Sequence, residues 1–120
     1  FHAHFSCGSV VFKMQSGSAL WREIAFMFTS TSKSGLGVQL QEVQILDPND
    51  APLRIVAAEN PSGASKQGEG PENVIDGRTS GQGSKWLDLN MRLHNTSTLR
   101  LRLAEPSQIQ AYAFFTASHA

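Results

Sequence analysis

The chain has 120 residues, with ten Lys and Arg against ten Asp and Glu, and a single cysteine, Cys7. Balanced charge argues against a basic nucleic-acid surface and against an acidic disordered tail. One cysteine excludes an intrachain disulfide and leans towards a reducing or organellar compartment, with an extracellular one as the alternative. The length suits one core of ordinary domain size, and the longest apolar runs, such as Ile24 to Phe28, fall far short of the ~20 residues of a membrane-spanning helix.

In chain order, residues 1–21 read as an N-terminal arm. It contains His2, His4 and Cys7 in an H-x-H-x-x-C pattern. Imidazole and thiolate bind zinc, but a structural site needs four ligands, and His94 and His119 are distant in sequence, so an unstructured arm is the expectation. Ser18 to Glu23 is a candidate short helix. Ile24, Phe26 and Phe28 then alternate with Ala25 and Met27, which predicts a strand. Val38 and Leu40 share a face, whereas Val43 and Ile45 continue in the opposite phase. A bulge near Gln41-Glu42 is therefore expected. Asp47-Pro48-Asn49-Asp50 is a turn, Leu53 to Ala58 a further strand, and Asn60 to Gly70 a Gly-, Ser- and Pro-rich loop.

Pro71 suits the first turn of a short helix over Pro71 to Ile75, because its missing N–H would be unpaired there anyway. Asp76-Gly77 ends that turn, with Gly77 free to adopt positive φ. Thr79 to Ser84 form a small polar loop, and Lys85 to Leu89 resume an alternating strand. Leu99-Arg100-Leu101-Arg102-Leu103 places leucines inward and arginines outward. Glu105-Pro106-Ser107 turns the chain, and Ile109 to Thr116 is the last strand, apolar on both faces. Short strands between turn clusters predict an all-β sandwich or barrel with one or two short helices. The predicted core is Ile24, Phe26, Leu40, Val43, Trp86, Leu101 and Ala113. Asn95-Thr96-Ser97 fits the N-glycosylation triplet.

Five segments together resemble the discoidin, or coagulation factor 5/8 type C, family: Arg22 to Phe26, Val38 to Glu42, Pro71 to Gly77, Lys85 to Asp88 and Ala111 to Phe114. The resemblance covers residues 22–117. It implies a galactose-binding-like jelly-roll β-sandwich, non-catalytic, attaching to sugars, lipids or proteins through loops at one end. It also implies that the family's closing strands are missing after Ala120. By the same resemblance, Asn73, Asp76, Thr79 and Ser84 are candidate oxygen ligands for a structural calcium, although Arg78 and the lack of a C-terminal acid depart from the pattern. Without a metal, Asp76 caps its own turn by bonding to nearby backbone.

Other candidates are weaker than their structural alternatives. Trp86, between a loop and an alternating strand, reads as core, and Trp21 as a staple between arm and sandwich. Lys33, Lys66 and Lys85 read as solvated surface. Loops 30–37, 47–52 and 60–84 carry no aromatic residue, which counts against a sugar platform there. No nucleophile or acid–base constellation stands out, so an enzyme is not expected. The expected function is protein–protein attachment as an accessory or structural subunit of a larger assembly, with glycan binding, calcium-stabilised, as the alternative. Tyr112, Phe114 and Phe115 are the expected partner-binding residues. Ile109 to Ala120 and the Phe1 to Phe12 arm are expected to meet another chain.

Overall fold

The computed structural model describes residues 9–13, 18–29, 38–65, 67–78, 85–89 and 96–116. They form β1 (Ser9–Lys13), β2 (Trp21–Phe28), β3 (Val38–Leu46), β4 (Ile55–Glu59), a 3-10 helix at Pro71–Ile75, β5 (Trp86–Asp88), β6 (Ser97–Ser107) and β7 (Ala111–Thr116). All named pairings are antiparallel. One sheet has the order β1-β7-β3-β5, the other β2-β6-β4. The fold is the all-β sandwich that the alternating segments predict.

The period-two pattern of β6 sets the inner face of the smaller sheet. Leu99, Leu101 and Leu103 are buried, while Arg100 and Arg102 are exposed. In β2, Phe26 and Phe28 turn inward while Ala25 and Met27 face out. These side chains meet Leu40, Val43, Ile45, Trp86, Tyr112 and Phe114 of the larger sheet in one cluster. Each buried side chain of this size contributes about 1.5–3 kcal/mol. Aromatic rings join the layers: Phe26 lies 4.9 Å from Tyr112 and 5.0 Å from Phe114, and Phe28 lies 6.1 Å from Trp86. Those separations suit tilted and edge-to-face packing.

The bulge expected in β3 is present, as a register shift against β7 between Leu40 and Glu42. It brings Leu40, Val43 and Ile45 into the same core despite their change of phase. The 3-10 helix begins at Pro71 as expected and buries Val74. The Asp47 turn is closed by its own side chain, whose Oδ1 accepts the N–H groups of Asn49 and Ala51. Of the predicted core, Ile24 is only partly buried and packs against the cluster from its rim.

Two expectations fail. Ser18 to Glu23 is not helical: β2 already begins at Trp21, which pairs with Ser107. A neighbouring strand to bond with outweighs a weak local helical preference. Residues 9–13, assigned to the arm, are a strand of the larger sheet instead. They pair with β7 in the register Ser9↔Phe115 to Lys13↔Ala111, and Phe12 stacks on Tyr112 at 5.1 Å. The boundary at residue 21 therefore does not separate an arm from the sandwich. His2, His4 and Cys7 lie outside the described residues.

Candidate functional site

Of the expected partner residues, Tyr112 and Phe114 are core. With β1 on one side and β3 on the other, β7 is an interior strand, so both of its hydrogen-bonding edges are used. Phe114 is fully buried and Tyr112 nearly so; burial also raises the Tyr112 phenol above its ordinary pKa. Phe115 is half-buried, opposite Glu42 and Ser9. The apolar character of both faces of β7 reflects a strand covered on both sides. Trp86 is core, as expected. Trp21 is no staple: it stands half exposed on β2.

At the expected calcium loop, Thr79 and Ser84 lie outside the described residues. Asn73 donates its amide hydrogens to the carbonyls of Gly68 (2.6 Å) and Lys85 (2.8 Å), which ties the preceding loop to the start of β5. Asp76 Oδ1 accepts the Arg78 N–H at 2.9 Å, so Asp76 caps its own turn. Calcium needs six to eight converging oxygens. Asn73 uses its amide hydrogens and Asp76 its Oδ1 on backbone groups, and among the described residues no three His, Cys, Asp or Glu side chains are grouped to hold a metal ion.

The carboxyl that meets this turn is one the sequence did not single out. Glu42 follows the β3 bulge, is 5% exposed, and accepts the Gly77 N–H on Oε2 at 3.1 Å. Its Oε1 is buried with no hydrogen-bond partner among the described residues. Loss of solvent pushes the Glu42 carboxyl up to about 8, reinforced by the Asp76 carboxyl beside it and opposed by the N–H groups of Gly77 and Asp76. Nearby, Lys85 Nζ reaches Gln39 Oε1 at 3.2 Å and Glu69 at 3.8 Å, so this lysine is engaged within the fold.

The smaller sheet presents a different surface. Among the described residues β2 pairs only with β6, leaving its other edge without a strand. Leu20, Trp21 and Met27, on or beside β2, are each at least half exposed. Across the outer face, Arg102 reaches Glu23 at 3.4 Å and Arg100 reaches Glu59 at 4.0 Å. These four residues and Ala57 line a shallow depression of about 100 Å³. Exposed pairs of this kind contribute only about 0.2–1 kcal/mol each.

The other sheet edges are shorter or covered. β5 has three residues, and Leu87 and Leu89 donate backbone N–H groups to the carbonyls of Glu69 and Ala64 in the neighbouring loop. β4 and β1 have five residues each, and β4 packs against the 3-10 helix. Ser97 of the glycosylation triplet is buried at the start of β6, and Asn95 lies outside the described residues.

No family model, no curated protein and no solved structure matches the chain. The discoidin-like resemblance therefore rests on its motif residues alone.

Glu42 and the β2 edge were both missed by sequence reasoning. The phase change at Gln41-Glu42 signalled the bulge, and a bulge re-aims the next side chain; that was the available clue to Glu42. No local signal marks β2 as an edge.

Proposed function

We propose that this domain is a non-catalytic attachment module of a larger assembly, and that it holds a partner protein along the edge and outer face of β2. The observation that carries this reading is the eight-residue β2 strand, the longest edge strand among the described residues, bearing exposed Trp21 and Met27. Natural proteins blunt such edges with proline, lysine, bulges or short length. β2 has neither proline nor lysine within it, and its one irregularity sits at the Trp21 end. An added strand gains main-chain hydrogen bonds there, while alternate side chains supply specificity.

Glycan binding is the second reading. It is favoured by the Glu23, Glu59, Arg100 and Arg102 depression, where charged donors and acceptors converge. A discoidin-like ancestry is compatible with either.

A photo-crosslinking residue at Met27 tests the proposal. In native extract it should join one defined protein partner, and the same group at Asp50, in the turn remote in sequence from β2, should not. Crosslinking equally from both positions, or none from Met27, would refute attachment through β2. Glycan-array binding lost on Arg100→Ala would favour the second reading.

A further inference from the structure

We infer that Asp76-Gly77 is a self-modification site, which isomerises through a cyclic imide when its turn leaves β3 and which the Glu42 side chain holds closed. Asp76-Gly77 is the only Asp-Gly or Asn-Gly pair in the chain. Glycine in the second place lets its nitrogen approach the aspartate side chain unhindered by a Cβ. In the first step the Gly77 nitrogen attacks Asp76 Cγ. An N–Cγ bond forms and closes a five-membered ring, and the carboxyl's hydroxyl leaves with the amide proton as water. In the second step water reopens the imide. Breaking the new N–Cγ bond restores aspartate. Breaking the bond from nitrogen to the Asp76 α-carbonyl leaves the backbone running through Cγ, which is isoaspartate. Water is the only co-reactant.

The folded turn withholds all three things that ring closure requires. The attacking nitrogen is engaged: Gly77 donates its N–H to Glu42 Oε2 at 3.1 Å, and Glu42 is almost fully buried. The carboxyl is engaged as well, since Asp76 Oδ1 accepts the Arg78 N–H at 2.9 Å. The backbone torsion is also wrong. Asp76 has a ψ of 1°, so the Gly77 nitrogen eclipses the backbone nitrogen of Asp76 itself and stands away from the side-chain branch. Rotating ψ until that nitrogen swings over to the Cβ side pulls Gly77 from Glu42 and Arg78 from Asp76. The ring therefore closes only in an opened turn.

The Asx bond of Asp76 is local and re-forms within the turn itself. The Glu42 bond is not local: it spans 35 residues and ties the turn to β3. Its loss is the step that sets the open population, and a reaction confined to an open state proceeds in proportion to that population. Asp76 and Gly77 are exposed, so water for the second step is at hand. Isoaspartate adds an atom to the backbone and ends the fit of Gly77 to Glu42. Each isomerised chain thus keeps a record that its turn has opened.

The test is ageing of the full chain in warm neutral buffer, with isoaspartate at residue 76 read by peptide mapping and by isoaspartyl methyltransferase labelling. Wild type should isomerise slowest and wild type in denaturing urea fastest. Glu42→Ala, shown to be folded by circular dichroism, should exceed the wild-type rate by about tenfold, the factor that corresponds to one lost buried hydrogen bond. Glu42→Gln keeps an acceptor oxygen for the Gly77 N–H and should stay near the wild-type rate. Amide hydrogen exchange serves even if Glu42→Ala fails to fold. The wild-type Gly77 amide should be protected, and sub-denaturing urea should speed its exchange and isoaspartate formation in the same proportion. Wild type isomerising as fast as the urea sample would overturn the inference. So would a folded Glu42→Ala at the wild-type rate, a Glu42→Gln as fast as Glu42→Ala, or a freely exchanging Gly77 amide.

Discussion

Asp88 on β5 accepts a hydrogen bond from the Ser97 hydroxyl on β6, and the two strands belong to different sheets. The bond crosses the sandwich in polar form, beside the aliphatic and aromatic contacts that close the core. The same carboxylate accepts the Ala64 N–H at 3.1 Å and the Asn60 amide at 3.2 Å, and Asn60 also donates to the Thr98 carbonyl at 2.7 Å. One buried acid thus joins both sheets to the loop that covers the β5 edge. Removing the carboxylate takes a hydrogen-bond acceptor from Ser97, Ala64 and Asn60 together.

Asp88→Ala should accordingly destabilise the domain by about 3 kcal/mol or more, since each buried group left unpaired costs about 1–3 kcal/mol. Ser97→Ala, which deletes one donor and leaves the acid bonded to Ala64 and Asn60, should cost less. Urea midpoints of the two variants give the comparison. Equal costs would show that Asp88 works through Ser97 alone.

Phe114→Ala should cost about 3–5 kcal/mol, the range for a large aromatic removed from a packed core. Phe114 has no exposed surface and packs against Phe12, Phe26, Phe28 and Tyr112. Loss of cooperative unfolding by circular dichroism is the expected readout. A folded Phe114→Ala variant that had lost only its partner would restore β7 as a binding strand.

Met27→Lys should behave in the opposite way. Its side chain is 51% exposed on the outer face of β2, so stability should stay within about 0.5 kcal/mol of wild type. A lysine at an open edge discourages strand addition. Binding to the crosslinked partner should weaken at least about tenfold, equivalent to 1.4 kcal/mol. Unaltered binding measured by calorimetry would count against attachment through β2.

Gly77→Ala should destabilise by about 1 kcal/mol, because the φ of +84° is a left-handed conformation that alanine resists. A Cβ there would meet nothing within 4 Å, so the cost is one of backbone conformation and not of collision. Gly77→Asn, which tolerates that region better, should recover part of the loss. Thermal melting of the two variants makes the comparison.

The sequence by itself determined what depends on near neighbours. Alternation over Leu99 to Leu103 sets which residues face inward, because successive side chains in a strand point to opposite faces. The phase change in β3 required an extra residue, found at the Leu40/Glu42 register shift. Pro71 and Asp76-Gly77 fixed a short helix and its stop through local backbone chemistry, and Asp76 caps that stop as local reasoning implied. Tertiary structure alone decided which strands are neighbours. β1 joins β7 across about a hundred residues, and that pairing turns Tyr112 and Phe114 from an apparent docking surface into core. Tertiary structure likewise leaves β2 as an edge among the described residues and brings Glu42 to a turn 35 residues away. A pattern of period two states which face a side chain takes, but it is silent about which strand lies alongside. Pairing is settled by long-range hydrogen bonds and by the closing of a shared core, and the fate of each edge and each buried acid follows from that choice.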